Sequence, residues 1–352
     1  MNGKVKLGYE TIAVSTRIRL ARNFADYPFP GRLLRDAHAE EQAGEMIQRV
    51  AEELGRIEDF HLYKMSTLSD ERAAVLKERN LISRDLLSHR RISAALVSGD
   101  ESISVMLNEE DHIREQYFRK GFDLKNAYER LEGIDDAIAA YMPFAYDEEF
   151  GYLTACPTNL GTGLRASVML FLPAVSRRQV MRSIAPLLTR KGIAVRGSSG
   201  EGSGTEGELF QISNEVTLGY SEAEILGEVE QAVSTVAEVE LRERERMKAE
   251  GGVALEDSVM RSLGVLTHCR KLDLHEFMAR AADVKLGLSL GMFEESGSDR
   301  TGKLFGEIDD LAVAMRPANL NLLSGAPLET EEQEVLRAEF VRKTFRGMHL
   351  PL

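Results

Sequence analysis

Cysteine is scarce: Cys156 and Cys269 are the only two in 352 residues. Two thiols cannot make a disulfide framework or a four-ligand zinc site, so neither secreted-scaffold nor zinc-ribbon classes apply, and no protein metal site is expected. No apolar run approaches the length that spans a bilayer, and no charged-then-apolar leader opens the chain. The expected location is therefore the cytoplasm, away from the membrane. Positive charge is in deficit, with 44 Lys and Arg against 57 Asp and Glu and a net charge of −13. That balance argues against a nucleic-acid surface and favours a basic substrate. Internal repeats and low-complexity tracts are also missing. What remains is ordinary for a folded protein, 43% hydrophobic and 29% charged, and long enough for two domains.

Periodicity divides the chain. Ser15, Arg17 and Arg19 alternate with Thr16, Ile18 and Leu20, which puts the polar set on one face of an extended segment. Ile103, Val105 and Leu107 alternate with Ser102, Ser104 and Met106 in a second strand. Residues 36–55, 66–79 and 124–141 carry helical spacing. Residues 151–155 read as a short strand, and 164–188 as a long apolar helical region broken by Pro173 and Pro186. Ser221 and Glu224 form a capping box that opens a helix to about Glu250. Gly251 and Gly252 break it, and helices follow over 255–270, 273–291, 302–315 and 329–346. The boundary is expected near 250, with a mixed part (1–250) before it and a helical part (251–352) after it.

Two glycine-rich stretches imitate nucleotide motifs. GSGTEG, residues 202–207, formally fits G-x-G-x-x-G. A dinucleotide fingerprint must open a helix whose N-terminal amides take the pyrophosphate. Here strand-like residues 192–195 lead in and 208–212 lead out, so a loop between two strands is expected. GSDRTGKL, residues 297–304, fits G-x-x-x-x-G-K but offers Leu304 where a P-loop needs a hydroxyl for Mg²⁺. An interhelical turn is expected there.

The chemistry concentrates elsewhere. Arg17, Arg19, Arg114, Arg165 and Arg196 each sit at a strand end or beside a turn, and several guanidinium forks on one cleft can hold a polyphosphate. NEEDHIR, residues 108–114, packs three acids, a histidine and an arginine after a strand. Adjacent carboxylates are costly unless they meet a cation, although a solvated turn with Asn108 or Asp111 as a cap explains them equally well, and His112 is as readily structural as chemical. CPTNLGTGLRAS, residues 156–167, is the most specific segment: Cys156 follows a strand, with Asn159, two glycines and Arg165 at an expected helix start. A cysteine near cations can be reactive, whereas a buried free cysteine is usually inert packing.

Together, STRIRLARN, NEEDH-x-R, CPTN-x-GT-x-x-RAS and VRG-x-x-GE, in this order over about residues 12–245, resemble the phosphagen (guanidino) kinase catalytic domain. The resemblance implies an α+β fold, a mostly antiparallel sheet flanked by helices, with a small all-α domain after it. It implies that ATP, with Mg²⁺, is clamped by Arg17, Arg19, Arg114, Arg165 and Arg196, with Ser15 beside them. It implies that Glu110 and Glu201 hold the guanidinium and that Cys156 is the reactive cysteine. Only fourteen residues precede STRIRLARN, so the helical domain that closes over small guanidines is not expected. The helical C-terminal part, with AYDEEFGYLTACPTNLGTGLRASVMLFLPA and GELFQISNEVTLGYSEAEI, is similar to the bacterial protein-arginine kinase family McsB. That narrower resemblance implies arginine-containing protein substrates, a homodimer, a zinc-binding activator and a Clp-type protease as partners. Free arginine or another small guanidino compound as acceptor, or a weakly active phosphoarginine-binding adaptor, are the alternatives. Two positions depart from the family pattern: Asp85 stands where histidine is common, and Gln333 and Glu334 replace Arg and Asp in the motif R-D-x-x-R-A, which Arg337 and Ala338 complete.

Overall fold

The computed structural model describes residues 9–36, 38–197, 206–293 and 298–350, with backbone alone at 298 and 299. In chain order the elements begin with β1 (Ala13–Arg22), α1 (Pro30–Leu33), α2 (Ala39–Ile57), β2 (Phe60–Lys64) and α3 (Asp70–Glu78). Next come β3 (Ala94–Ser98), β4 (Ile103–Leu107), β5 (Ile113–Lys120), α4 (Leu124–Tyr141), β6 (Tyr146–Asp147), β7 (Gly151–Tyr152) and β8 (Leu164–Phe171). Then follow α5 (Pro173–Arg177), α6 (Met181–Thr189), β9 (Ile193–Gly197), β10 (Leu209–Asn214) and α7 (Glu222–His268). The remainder is helical: α8 (Leu274–Ser289), α9 (Ser298–Ala314), α10 (Pro317–Ser324) and α11 (Thr330–Gly347). Eight strands form one sheet in the order β2-β3-β4-β5-β1-β8-β10-β9, and β6 and β7 make a separate hairpin. The registered pairs of β1 to β5 are antiparallel.

The chain divides into two compact units, Ser15–Ser167 with Ser213–Gln231, and Met1–Val14 with Val168–Ile212 and Ala232–Leu352. In the first, β3 and β4 are buried on both faces. On one side Leu96, Ile103, Val105 and Ile113 pack with Met46 and Val50 of α2 and Ile134 and Ile138 of α4. Both helices turn an apolar stripe at i, i+4, i+7 inward, as the spacing dictates. On the other side Ala95, Val97 and Met106 meet Leu76 of α3 with Leu81, Ile82 and Leu86. Fully burying each such Leu or Ile contributes about 1.5–3 kcal/mol. The Asp123 carboxylate accepts from the Asn126 amide and fixes where α4 starts.

The second unit holds a core of Phe171, Leu263, Phe277, Phe305, Leu320 and Phe345, among others, from β8 and the C-terminal helices. Its charged residues inside that core are fully engaged. Lys285 pairs with Asp309 at 2.6 Å and lies over the rings of Phe171 and Phe305. Arg244 pairs with Glu240 at 2.6 Å. Arg337 donates to the carbonyls of Met315 and Leu272, so the guanidinium of this motif residue ties α11 to the turns ahead of α8 and α10. Glu334, in turn, lies 3.5 Å from Lys271.

Several expectations are corrected. Residues 164–171 are a strand, because Leu164, Ala166, Val168 and Leu170 on one face and Ser167 and Phe171 on the other are all buried. A strand covered on both sides reads as a continuous apolar run, and periodicity cannot tell it from a buried helix. Arg165 therefore sits in a strand rather than at a helix start. Pro186 lies inside α6 and does not end it. The strand expected over 151–155 is two residues long. The first turns of α9 occupy residues 298–304, so GSDRTGKL is helix rather than interhelical turn there, and Leu304 is buried in the core. The break expected at Gly251 and Gly252 is borne out: α7 is two helical stretches that meet at Gly252, whose φ of 45° and ψ of −143° require glycine. The short helix α10 had no expectation.

Candidate active site

Four of the arginines expected on sequence grounds meet in the first unit. On β1, alternation sends Ile18 and Leu20 into the core and leaves Ser15, Arg17 and Arg19 on the opposite face. The register with β5 sets Gln116 opposite Arg19 and Arg114 opposite Ala21, so β5 contributes its own polar row to that face. Arg17 donates to the Gln116 side chain and lies over the Phe118 ring at 4.9 Å. Burial first, and then repulsion from Arg114, push the Arg17 guanidinium down to about 9. Burial, together with Arg17, Arg114 and Arg165, holds Arg19 well below its ordinary value. The Nε of each is buried and makes no hydrogen bond among the described residues. Buried donors are ordinarily satisfied, so this cluster is short of acceptors.

A cleft opens onto it, lined by Arg19, Glu109, Glu110, Asp111, Arg114 and Arg165, with Thr158, Asn159 and Gly163 on another wall. The three consecutive acids have three different surroundings. Glu109 is 2% exposed and accepts both bonds of Arg114 Nη1, at 2.8 and 2.9 Å. Ser83 Oγ also donates to it, and the His89 Nδ1–H donates to its backbone carbonyl at 2.8 Å. Asp111 is buried and accepts from Asn23 Nδ2 at 2.7 Å, the Ala155 amide at 2.6 Å and Asn159 Nδ2 at 3.4 Å. Burial raises its pKa, and its bonds make it a tie between three segments. Glu110, between them, is exposed and faces the cleft.

His112 is structural. Its Nδ1 accepts from the Phe24 amide, its Nε2–H donates to the Pro28 carbonyl, and burial lowers it to about 4. The neutral ring stacks on Phe24 at 5.8 Å. Beneath the cleft, Arg22 makes two bonds to Asp135 at 2.9 and 3.1 Å and donates to the Ala21 and Thr162 carbonyls. Its guanidinium lies 3.6 Å from the Tyr152 ring centroid. Burial, and then Asp135, raise the neighbouring Glu115 carboxyl well above the usual carboxylate range.

The glycines of CPTNLGTGLRAS have a steric reason. Gly163 has φ 61°, and a Cβ there would lie 2.5 Å from the Ala21 carbonyl oxygen. Gly161 has φ 103°, and its Cβ would lie 2.5 Å from the Thr217 oxygen. Only glycine lets these backbones approach. Cys156 is half-buried with Sγ 3.0 Å from Thr158 Oγ1, and is not part of the cleft lining, to which Thr158 and Asn159 belong.

Of the expected site residues, the structure thus gathers Arg17, Arg19, Arg114, Arg165 and Glu110 in one unit. Ser15 lies on the same face of β1. Arg196 is in β9, in the second unit. Glu201, with most of GSGTEG, lies outside the described residues. Sequence reasoning missed Glu109, Ser83 and His89, which set the Arg114 side of the cleft. Asp85 comes just before the single helical turn Leu86–His89, where Ser83 Oγ accepts from the Leu86 amide.

A cleft that sets several arginines beside an exposed carboxylate can hold an anion next to a cation. Comparison with known proteins agrees. Residues 42–243 match the ATP:guanido phosphotransferase C-terminal catalytic domain, and residues 252–351 match the protein-arginine kinase McsB C-terminal domain. The protein-arginine kinase of Geobacillus stearothermophilus is 39% identical over 337 residues, covering 95% of this chain and 90% of that protein. That of Caldanaerobacter subterraneus is 38% identical over 335 residues, covering 94% and 96%. Among solved structures, lombricine kinase aligns with a TM-score of 0.57 at 24% identity over 66% of this chain and 67% of that one. The duplicated taurocyamine kinase of Schistosoma mansoni aligns at 0.59, with 24% identity, over 79% and 40%. These two share the fold. The chain is a guanidino phosphotransferase by its catalytic domain, and within that class it belongs to the protein-arginine kinase family.

Proposed function

We propose that this enzyme transfers the γ-phosphoryl group of ATP to arginine side chains of proteins, in protein quality control or the stress response. The observation that carries the reading is that Arg19, Arg114 and Arg165 share one cleft with the exposed Glu110, with Arg17 packed beside Arg19 behind them. A polyphosphate in the cleft offers acceptors to the guanidinium groups of Arg19, Arg114 and Arg165 that line it. A guanidinium is cationic and a poor nucleophile. Glu110, with Glu201, orients it, and one of these carboxylates takes the proton released as the N–P bond forms. The arginines neutralise charge on the phosphoryl oxygens, so positioning and electrostatics do most of the work. Arg196 and Ser15 complete the clamp, and Cys156 supports the acceptor side. Mg²⁺ reaches the site on the nucleotide phosphates.

The catalytic part spans 1–250 and the helical part 251–352, a division the two family matches support. Work in the cytoplasm as a homodimer, with a zinc-binding activator and a Clp-type protease, follows from the family resemblance. The test is phosphate transfer from ATP to an arginine-containing protein, detected by mass spectrometry without acid, for the wild type and Glu110→Gln. Acid-labile phosphoarginine that falls at least ~100-fold in the variant is expected. Transfer to free arginine alone would overturn the choice of acceptor, and an unaffected variant would overturn the role of Glu110.

A further inference from the structure

The hairpin β6–β7 and the loop before α7 expose an unusual set of side chains in the first unit. Tyr146 is 61% and Tyr220 51% exposed, and Phe150 and Leu218 are each 43% exposed. Sequence distance hides their proximity. Gly151 packs on Gly161, whose own missing Cβ would lie 2.8 Å from the Leu218 Cα, so the hairpin, the 158–163 segment and the 215–220 loop are stacked backbone to backbone. Thr217 Oγ1 donates to the carbonyls of Thr158 and Leu160, and the Tyr152 amide donates to Gly161. The same 158–163 segment gives Thr158, Asn159 and Gly163 to the cleft. Acids are interleaved with the apolar groups: Glu148 and Glu149 stand between Tyr146 and Phe150, and Glu215 precedes Val216, all exposed.

We infer that this shelf is a docking surface for the protein substrate, namely an extended segment with basic and apolar residues flanking the arginine that enters the cleft. The proposal rests on the protein-arginine kinase reading and adds a substrate class to it. Three observations favour this occupant. Exposed aromatics beside a cleft are a recognition feature rather than a solvated face. Carboxylates among them complement Lys and Arg and oppose acidic segments. The shelf is also hydrogen-bonded to the segment that gives Thr158, Asn159 and Gly163 to the cleft, so it adjoins the cleft that Glu110 lines. A free small guanidine has no atoms that reach it.

The experiment compares two synthetic fifteen-residue peptides with one central arginine, one flanked by Lys, Leu and Phe, the other by Ser, Gly and Asp. Binding is read by fluorescence anisotropy and transfer by steady-state kinetics, for the wild type, Phe150→Ser with Tyr220→Ser, and Glu148→Lys with Glu149→Lys. The wild type is expected to prefer the basic, apolar peptide about tenfold in Kd and KM. Either double variant should abolish that preference, leaving kcat and the weak binding of the Ser/Gly/Asp peptide within about twofold. Both substitution sets are at exposed positions, and unchanged thermal unfolding confirms intact folding. Equal affinity of wild type and variants for the first peptide overturns the proposal. So does an oligomer that dissociates in the variants while peptide affinity stays the same, since the shelf would then join two copies of this chain. Shelf-dependent binding without phosphoryl transfer in the wild type would uphold the surface and overturn the catalytic reading.

Discussion

Cations shielded from solvent, wholly or in part, occur in two regions of this molecule, and their surroundings differ. In the second unit, Lys285, Arg244 and Arg337 each reach a carboxylate or carbonyls at 2.6–3.0 Å. On the outer face of β1, Arg17 and Arg19 crowd other arginines and leave Nε atoms without acceptors among the described residues. A protein folded only for stability does not keep such a cluster, because like charges repel and unmet donors cost about 1–3 kcal/mol each. The first arrangement is architecture, and the second waits for an anion. Arg22, three residues beyond Arg19 on the same strand, belongs with the architecture: it is 2% exposed and doubly bonded to Asp135.

Substitution should separate the two kinds. Arg22→Met leaves the Asp135 carboxylate buried and unpaired, and should cost about 3–5 kcal/mol of stability. Denaturant unfolding reads that cost, and a change below 1 kcal/mol would erase the distinction. Arg19→Met should do the reverse. It is expected to lower kcat/KM about 10²–10³-fold, as for removal of one charge-stabilising donor, while the unfolding midpoint without nucleotide stays the same or rises. A fall in the midpoint comparable to that of Arg22→Met would make Arg19 structural.

The pH dependence sharpens the comparison further. The His112 pKa is about 4 in the fold against about 6.5 unfolded. Below pH 6.5 the unfolded chain therefore binds a proton that the native state refuses. Stability is fully present above about 6.5 and is lost as pH falls toward 4, by about 3 kcal/mol from this group. Glu115 acts with the opposite sign: its raised pKa makes the native state hold a proton that the unfolded chain releases, which weakens the fold as pH rises. Unfolding of wild type and His112→Gln from pH 4 to 7 checks the first effect, and a slope that persists unchanged in the variant would remove His112 as its source. The smallest effect expected is at the start of α7. Ser221→Ala loses the bond from the Glu224 amide to Ser221 Oγ, for about 1 kcal/mol in thermal unfolding, with no change in transfer.

How much was legible in advance follows from the range of each interaction. STRIRLARN announced its strand and its polar face because alternation is local, and β1 bears out both. Capping at Ser221 and the stripes of α2 and α4 were legible for the same reason. Residues 164–171 misled, because a strand buried on both faces has lost the alternation that would reveal it. In NEEDHIR the sequence presented three equivalent acids. It could not say that Glu109 is enclosed by Arg114 and Ser83, that Asp111 is consumed by Asn23 and Ala155, and that Glu110 alone faces solvent. Arg114 is five residues from Glu109, but Ser83, Ala155 and Asn23 come from segments 26 to 88 residues away, and their amino-acid types are too common to stand out.

The sequence by itself determined the family, the elements with local periodicity, and the residue types that phosphoryl transfer to a guanidinium needs. Tertiary structure decided which charges remain available for that task, through the antiparallel register that sets Arg19 beside Arg114 and Gln116. The reason is physical: hydrophobic period and capping act within a few residues, whereas burial and charge repulsion depend on what the fold brings alongside.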